Sequence, residues 1–249
     1  MKNVLLLAFI LSSITIFAQD VTVTLKEASN LERSLKEDQA LEKYKQVLSV
    51  DANNFTALLK AAEFSAAVGA RQDKKLRKPY YDAALAYATK AYTINPNSSD
   101  ANYVMAVASS KMTEVETENK KIVQYLKDAK TYADKALAID PNNSRANYAV
   151  GKWHFDMIQT SWVKKAAMKT LFGGMPEAKM EDAIKYMEKC KSLDQYFVAN
   201  YLDLAKAYKL DNKPSQAIDV LQKLVKLPTR TADDANLKAE GKTLLNEML

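Results

Sequence analysis

His154 and Cys190 are the only histidine and the only cysteine in the chain. Acid–base, nucleophilic or metal chemistry based on imidazole or thiol would have to pass through them. A catalytic base needs a nucleophile or a metal beside it, and no motif around His154 supplies either. One cysteine excludes an internal disulfide, and a single histidine beside it excludes a Cys/His metal cluster. Gly173-Gly174 is a lone pair rather than a glycine-rich phosphate loop, and a helix stop explains it. Acidic residues are scattered over polar positions without the close pairing that raises one carboxyl pKa. No catalytic residue, no cofactor and no metal site are therefore expected. The remaining chemistry is recognition by aromatic and cationic side chains. One group comprises Tyr103, Arg145, Tyr148, Lys152, Phe155, Lys206 and Lys209. A second comprises Trp162, Lys164, Lys165, Lys169 and Phe172.

Helices must position these residues. The 249 residues include only 5 Gly and 6 Pro, which suits helices and argues against sheets joined by tight turns. Ala129, Ala133, Ala136 and Pro141 repeat the spacing of Ala84, Ala88, Ala91 and Pro96. Small residues at these offsets let two helices cross closely, and the proline ends one helix before a turn starts the next. This is the spacing of a tetratricopeptide repeat, a helix pair of about thirty-four residues. Weaker copies are Ala40, Tyr44, Val47; Ala183, Met187, Cys190; and Ala217, Leu221, Leu224. His154 and Cys190 both fall on inward positions of this pattern, so each reads as a packed core residue. A reactive thiol would need an exposed, electropositive site instead.

First helices precede each copy, giving about five helix pairs, and a last amphipathic helix from Ala232 to Leu249 closes the stack. Three units carry extra residues between their helices: Arg71–Lys78, Thr113–Tyr125 and Ser161–Met180. The spacing of Val150, Trp153, Met157, Ile158, Trp162 and Ala166 predicts one long helix to about Phe172, stopped by Gly173-Gly174 and Pro176. Arg71–Lys78 holds five cations and one acid. It reads as a solvated loop or as a contact for an anionic surface. The expected fold is all-α, an α-solenoid of tetratricopeptide-like helix pairs with three enlarged repeats.

Lys2 followed by the apolar run Val4–Phe17 and the small Ala18 reads as a signal peptide, residues 1–18, cleaved near Ala18. The run is too short to favour a spanning helix, although an uncleaved anchor is the alternative. Residues 19–249 then form a single repeat domain, exported to the periplasm or secreted. No cysteine follows the run, which argues against a lipid-anchored lipoprotein. Net charge is +6, from 36 basic and 30 acidic residues. Losing Lys2 with the leader lowers it to +5. Both signs are interspersed, so no nucleic-acid partner is implied.

First helices line the inner face of such a solenoid. Outward offsets put Tyr103 there in the third unit, Arg145, Tyr148, Lys152 and Phe155 in the fourth, and Lys206 and Lys209 in the fifth. Aromatics mixed with cations suit an anionic peptide or a lipid head group. The competing reading is that the aromatics pack on the next repeat and the lysines are solvated. Trp162–Phe172 is a basic amphipathic segment. It either lies on a membrane surface or is buried against a neighbouring helix.

Gly151-Lys152-Trp153, Ser161-Trp162 and Thr170-Leu171-Phe172-Gly173, with the enlarged helix pairs, resemble the regulator of microtubule dynamics family over roughly Asp51 to Leu245. That resemblance implies a helical-repeat binding domain with no catalytic motif. Animal members are linked to microtubules, and one mitochondrial branch to membrane contact sites and phospholipid binding. An exported bacterial-type chain has no microtubule to meet, so lipid binding is what could carry over. The expectation is a non-catalytic binding scaffold for a protein or peptide partner. The alternative is a lipid-binding or lipid-transfer module.

Overall fold

The computed structural model describes residues 21–160 and 177–249. The expected signal peptide, residues 1–18, lies outside the described residues, as do Trp162, Lys164, Lys165, Lys169 and Phe172. Among the described residues there is no strand. The helices are α1 (21–33), α2 (Glu37–Val50), α3 (Phe55–Arg71), α4 (Arg77–Ile94), α5 (Ser99–Met112), α6 (Asn119–Ile139), α7 (Ser144–Gln159), α8 (Met180–Leu193), α9 (Val198–Leu210), α10 (Pro214–Leu224) and α11 (Asp234–Met248). A short 3-10 turn, Lys74–Leu76, joins α3 to α4. Successive helices pack as pairs, and α11 lies against α9 and α10.

Small residues decide where the pairs cross. Ala84, Ala88 and Ala91 on α4, and Ala129, Ala133 and Ala136 on α6, are buried against neighbouring helices, Ala129 against Trp153 and Met157 of α7. Met187 and Cys190 take the equivalent places on α8. The turns between pairs repeat one device. Asp51, Asn95, Asp140 and Asp194 each accept the backbone N–H two residues on. Asn54, Ser98 and Asn143 then cap α3, α5 and α7 through side-chain oxygens. Each cap satisfies an orphan N–H of the first turn.

Helix α7 differs from the expected long helix. It stops at Gln159, where Thr160 takes extended backbone at φ −62° and ψ 131°. Apolar spacing continues across that point, but spacing records which faces are buried and not whether the backbone stays helical. Gly151 permits the closest approach of α7 to α8. A Cβ there would sit 2.8 Å from Met187 Cγ, 3.0 Å from the Ala183 carbonyl oxygen and 3.1 Å from the Met187 nitrogen. Trp153, two residues on, donates its Nε1–H to the Leu126 carbonyl of α6 at 2.9 Å. The Gly-basic-Trp motif therefore wedges α7 between its two neighbours.

The run Arg71–Lys78 is not simply a solvated loop. Lys74, Lys75 and Lys78 are exposed, but Arg77 donates to Glu114 Oε2 at 3.1 Å and to the Gln72 carbonyl at 3.0 Å. Arg71 donates to Glu37 Oε2 at 2.8 Å and to Asp233 Oδ2 at 3.3 Å. The Ala232 N–H, 195 residues along the chain from Glu37, donates to Glu37 Oε1 at 2.9 Å. The first and last turns of the solenoid thus meet, and the superhelix closes on itself. Local periodicity carries no trace of this contact.

Two substitutions test these packing claims by denaturant unfolding. Gly151→Ala gains about 1 kcal/mol of helix propensity. It must also displace backbone atoms of α8, an overpacking cost of about 1–3 kcal/mol, so net destabilisation is expected. Arg71→Met leaves the Glu37 carboxylate, 5% exposed, without its cation. A loss of about 3 kcal/mol is expected, partly recovered by adding Glu37→Gln. Unchanged stability in Arg71→Met would contradict the closure.

Candidate binding cavity

Closing the superhelix forms a half-open cavity of about 1150 Å³. Its wall comes from α1, α2, α3, α5 and α7, from the turn into α9 and its first residues, and from residues 229–237, where the chain enters α11. Three of the residues nominated from sequence line it: Tyr103, Arg145 and Tyr148. Tyr103 comes from α5, and the other two sit one turn apart on α7.

Phe197 organises this region, and the sequence reading passed over it. It occupies the turn position that Asn54, Ser98 and Asn143 fill with capping side chains, and α9 starts without a side-chain cap. The ring instead enters the cavity. The Arg145 guanidinium lies over it, 4.0 Å from its centroid, and Tyr148 meets it edge-on at 4.8 Å. A stacked guanidinium keeps its in-plane N–H donors free for a further partner. The missing cap was the available signal, since an aromatic replaces a polar residue at one repeat out of four.

The Tyr148 hydroxyl donates to Asp203 Oδ2 of α9 at 2.7 Å. Burial, and then the Asp203 carboxylate, push its pKa well above the usual value. The ring is thus a fixed neutral wall. Lys60 is held by Glu32 at 2.7 Å and by Glu63 at 3.6 Å. Across the cavity Arg230 stacks on Tyr196 at 5.1 Å and pairs with Asp194 at 3.8 Å.

The other nominated residues are placed elsewhere. Phe155 is 3% exposed and packs into the core with Met187 and Leu202, so it offers no open surface. Lys152 pairs with Asp156 on its own helix. Lys206 reaches Glu240 at 2.7 Å and Lys209 reaches Glu247 at 3.7 Å, both partners being on α11. Lys152, Lys206 and Lys209 are not part of the cavity wall. The reason in the fifth unit is the closing helix, which covers the face of α9 that an open solenoid would present.

The family model described as "Regulator of microtubule dynamics protein 1-3" matches residues 24–249. Regulator of microtubule dynamics protein 1 of Mus musculus is 32% identical over 98 residues, 39% of this chain and 32% of that protein. The Bos taurus protein of the same description is 27% identical over 211 residues, 83% of this chain and 64% of that one. The chain therefore spans less than two thirds of the length of these relatives. Among solved structures, a thermophilic tetratricopeptide-repeat protein of Thermus thermophilus superposes with a TM-score of 0.67 at 14% identity, covering 91% of this chain and 99% of that chain. The type IV pilus biogenesis factor PilW gives 0.56 at 19% identity, covering 92% and 90%. Both likenesses are of fold, and they identify the architecture as a tetratricopeptide-like solenoid.

Neither His154 nor Cys190 lines the cavity. Cys190 is fully buried, and burial pushes its thiol up to about 12, so it carries no thiolate near neutrality. His154 lies between Trp153 and Tyr186 and accepts the Lys179 N–H at Nδ1, 3.2 Å away. Burial, and then the Lys130 charge, hold its pKa below the usual 6.5. The folded state thus favours the neutral ring. Its contribution to stability is complete above about pH 6.5 and falls away as pH drops. His154→Asn keeps an acceptor near the Nδ1 position and cannot titrate there. Thermal melts across that range are expected to show a flatter pH dependence for the variant than for the parent chain.

Proposed function

The chain belongs to the regulator of microtubule dynamics family, and from that premise we propose a non-catalytic scaffold of the cell envelope that receives a protein or peptide segment in its central cavity. The observation that carries this reading is the wall itself. Aromatic rings, short aliphatic side chains and charged groups alternate around it, drawn from helices at both ends of the chain. Such a lining offers hydrogen bonds and stacking to a polar backbone and apolar contact to alternate side chains. Its volume, about 1150 Å³, exceeds the usual small-molecule range of about 300–1,000 Å³. The acids and cations in the wall are mostly paired with each other, an arrangement that binds and orients but supplies no poised acid–base couple.

A lipid occupant would be better served by a wall of apolar side chains. The ion pairs Lys60–Glu32 and Arg230–Asp194 favour the peptide reading over it.

Phe197→Asn separates fold from recognition. It restores the cap residue used by the other turns, worth about 1 kcal/mol, and removes the ring beneath Arg145 and Tyr148. Affinity capture from the envelope fraction should yield a partner that binds saturably to the parent chain and at least about tenfold more weakly to the variant. A stable Phe197→Asn protein that captures the same partner equally well would count against the cavity. No saturable protein partner for either would sink the scaffold reading.

A further inference from the structure

The cavity wall holds seven carboxylates and five cations, and they are paired unevenly. Each carboxylate in its wall is already engaged. Glu32 and Glu63 hold Lys60, and Glu37 and Asp233 hold Arg71. Asp100 accepts from Asn143 Nδ2 at 3.0 Å. Asp194 accepts from the Tyr196 N–H and pairs with Arg230. Asp234 accepts from the Arg230 and Thr231 N–H groups at 2.7 and 2.9 Å. Three wall cations, Lys60, Lys111 and Arg230, also have carboxylate partners. Two do not. Among the described residues, neither Arg33 nor Arg145 has a carboxylate within ion-pair distance, and both line the cavity.

Of the two, Arg145 is the built position. Arg33 is exposed at the entrance, where water screens it. Arg145 is half-buried, held flat on Phe197 at 4.0 Å, with Tyr103 beside it. Glu63 and Asp194 are near enough to be felt by its charge, but each is committed to another cation. A guanidinium fixed by stacking presents a planar fork that matches a carboxylate with two parallel hydrogen bonds. The turn before α9 gave up its side-chain cap to supply that stacking surface. A local rule broken at one repeat, with a new contact in its place, is what a binding site leaves in a sequence.

We infer that Arg145, seated on Phe197 beside Tyr103, anchors a carboxylate of the bound peptide, an Asp or Glu side chain or a chain-terminal carboxyl. This rests on the peptide reading above and names the chemistry of the partner. Arg33, at the rim, adds a second and weaker attraction for acidic sequence. Tyr148, fixed by Asp203, braces the Phe197 ring from its edge.

The test is selection of a displayed library of random dodecapeptides on the immobilised parent chain, Arg145→Gln and Arg145→Lys. Free and amidated carboxyl termini are compared in separate pools. The expected result is enrichment of acidic residues or of free carboxyl termini on the parent chain. Individual selected peptides should bind Arg145→Gln at least about tenfold more weakly. Arg145→Lys should fall between them, because it keeps the charge and loses the fork. Circular dichroism melts show that each variant is folded before it is scored. Enrichment without acidic residues or free carboxyl termini, or enrichment that Arg145→Gln leaves unchanged, overturns the inference and keeps the peptide reading. No enrichment on the parent chain overturns both. Vesicles containing phosphatidylglycerol are titrated in parallel. Saturable vesicle binding that depends on Arg145, with no peptide selected, also overturns the inference and assigns the cation to a lipid phosphate.

Discussion

Arg71 lies at the end of α3, where the helix dipole already favours a cation, and it joins Glu37 on α2 to Asp233 at the start of α11. Without that junction the helix pairs would form an open spiral. With it, the spiral has an inside. The cavity follows from this closure, while Leu237, Leu244 and Leu245 seat α11 on the core of α9 and α10. Its energetics are those of a partly buried ion network. Coulomb attraction and the Ala232 N–H to Glu37 bond together offset the desolvation of a carboxylate that is 5% exposed.

Much of the architecture is written in short-range spacing. Ala84, Ala88 and Ala91 announce a helix crossing because a larger residue at any of them would hold the pair apart. The Asx turns at Asp51, Asn95, Asp140 and Asp194 are visible as the polar residue that follows each second helix. What the spacing could not convey is contact between distant parts of the chain. Arg71 looks like one more cation in a charged run until the residue 162 positions later is beside it. Phe155 and Tyr148 share the same helix face on paper. The neighbouring α8 and α9 bury the first and leave the second at the cavity. Lys206 and Lys209 read as inner-surface lysines because nothing in their own helix reveals that α11 will bring Glu240 and Glu247 beside them.

The Gly151-Lys152-Trp153 segment has a structural meaning in this chain. Gly151 and Trp153 fix the distance and rotation of α7 between α6 and α8. They thereby set the direction in which Arg145 and Tyr148 point. Gly151 and Trp153 share the helix with the cavity-lining Arg145 and Tyr148 but serve other contacts. A chain could keep the motif for packing and change its partner through positions such as Phe197, which lie in turns and tolerate replacement more readily than helix contacts do.

The closure also has a temporal side. Glu37 leaves the ribosome well before Ala232, which follows it by 195 residues. During most of translation, then, the helix pairs can stack one upon another through local contacts, which form quickly. The cavity wall is incomplete, however, until residues 229–237 arrive. The cavity is therefore completed only once residues 229–237 meet helices made much earlier. A newly made chain presents its aromatic and cationic interior only as an open groove. The loop-closure entropy of joining ends this far apart grows slowly with length, so late assembly asks little of the final contact.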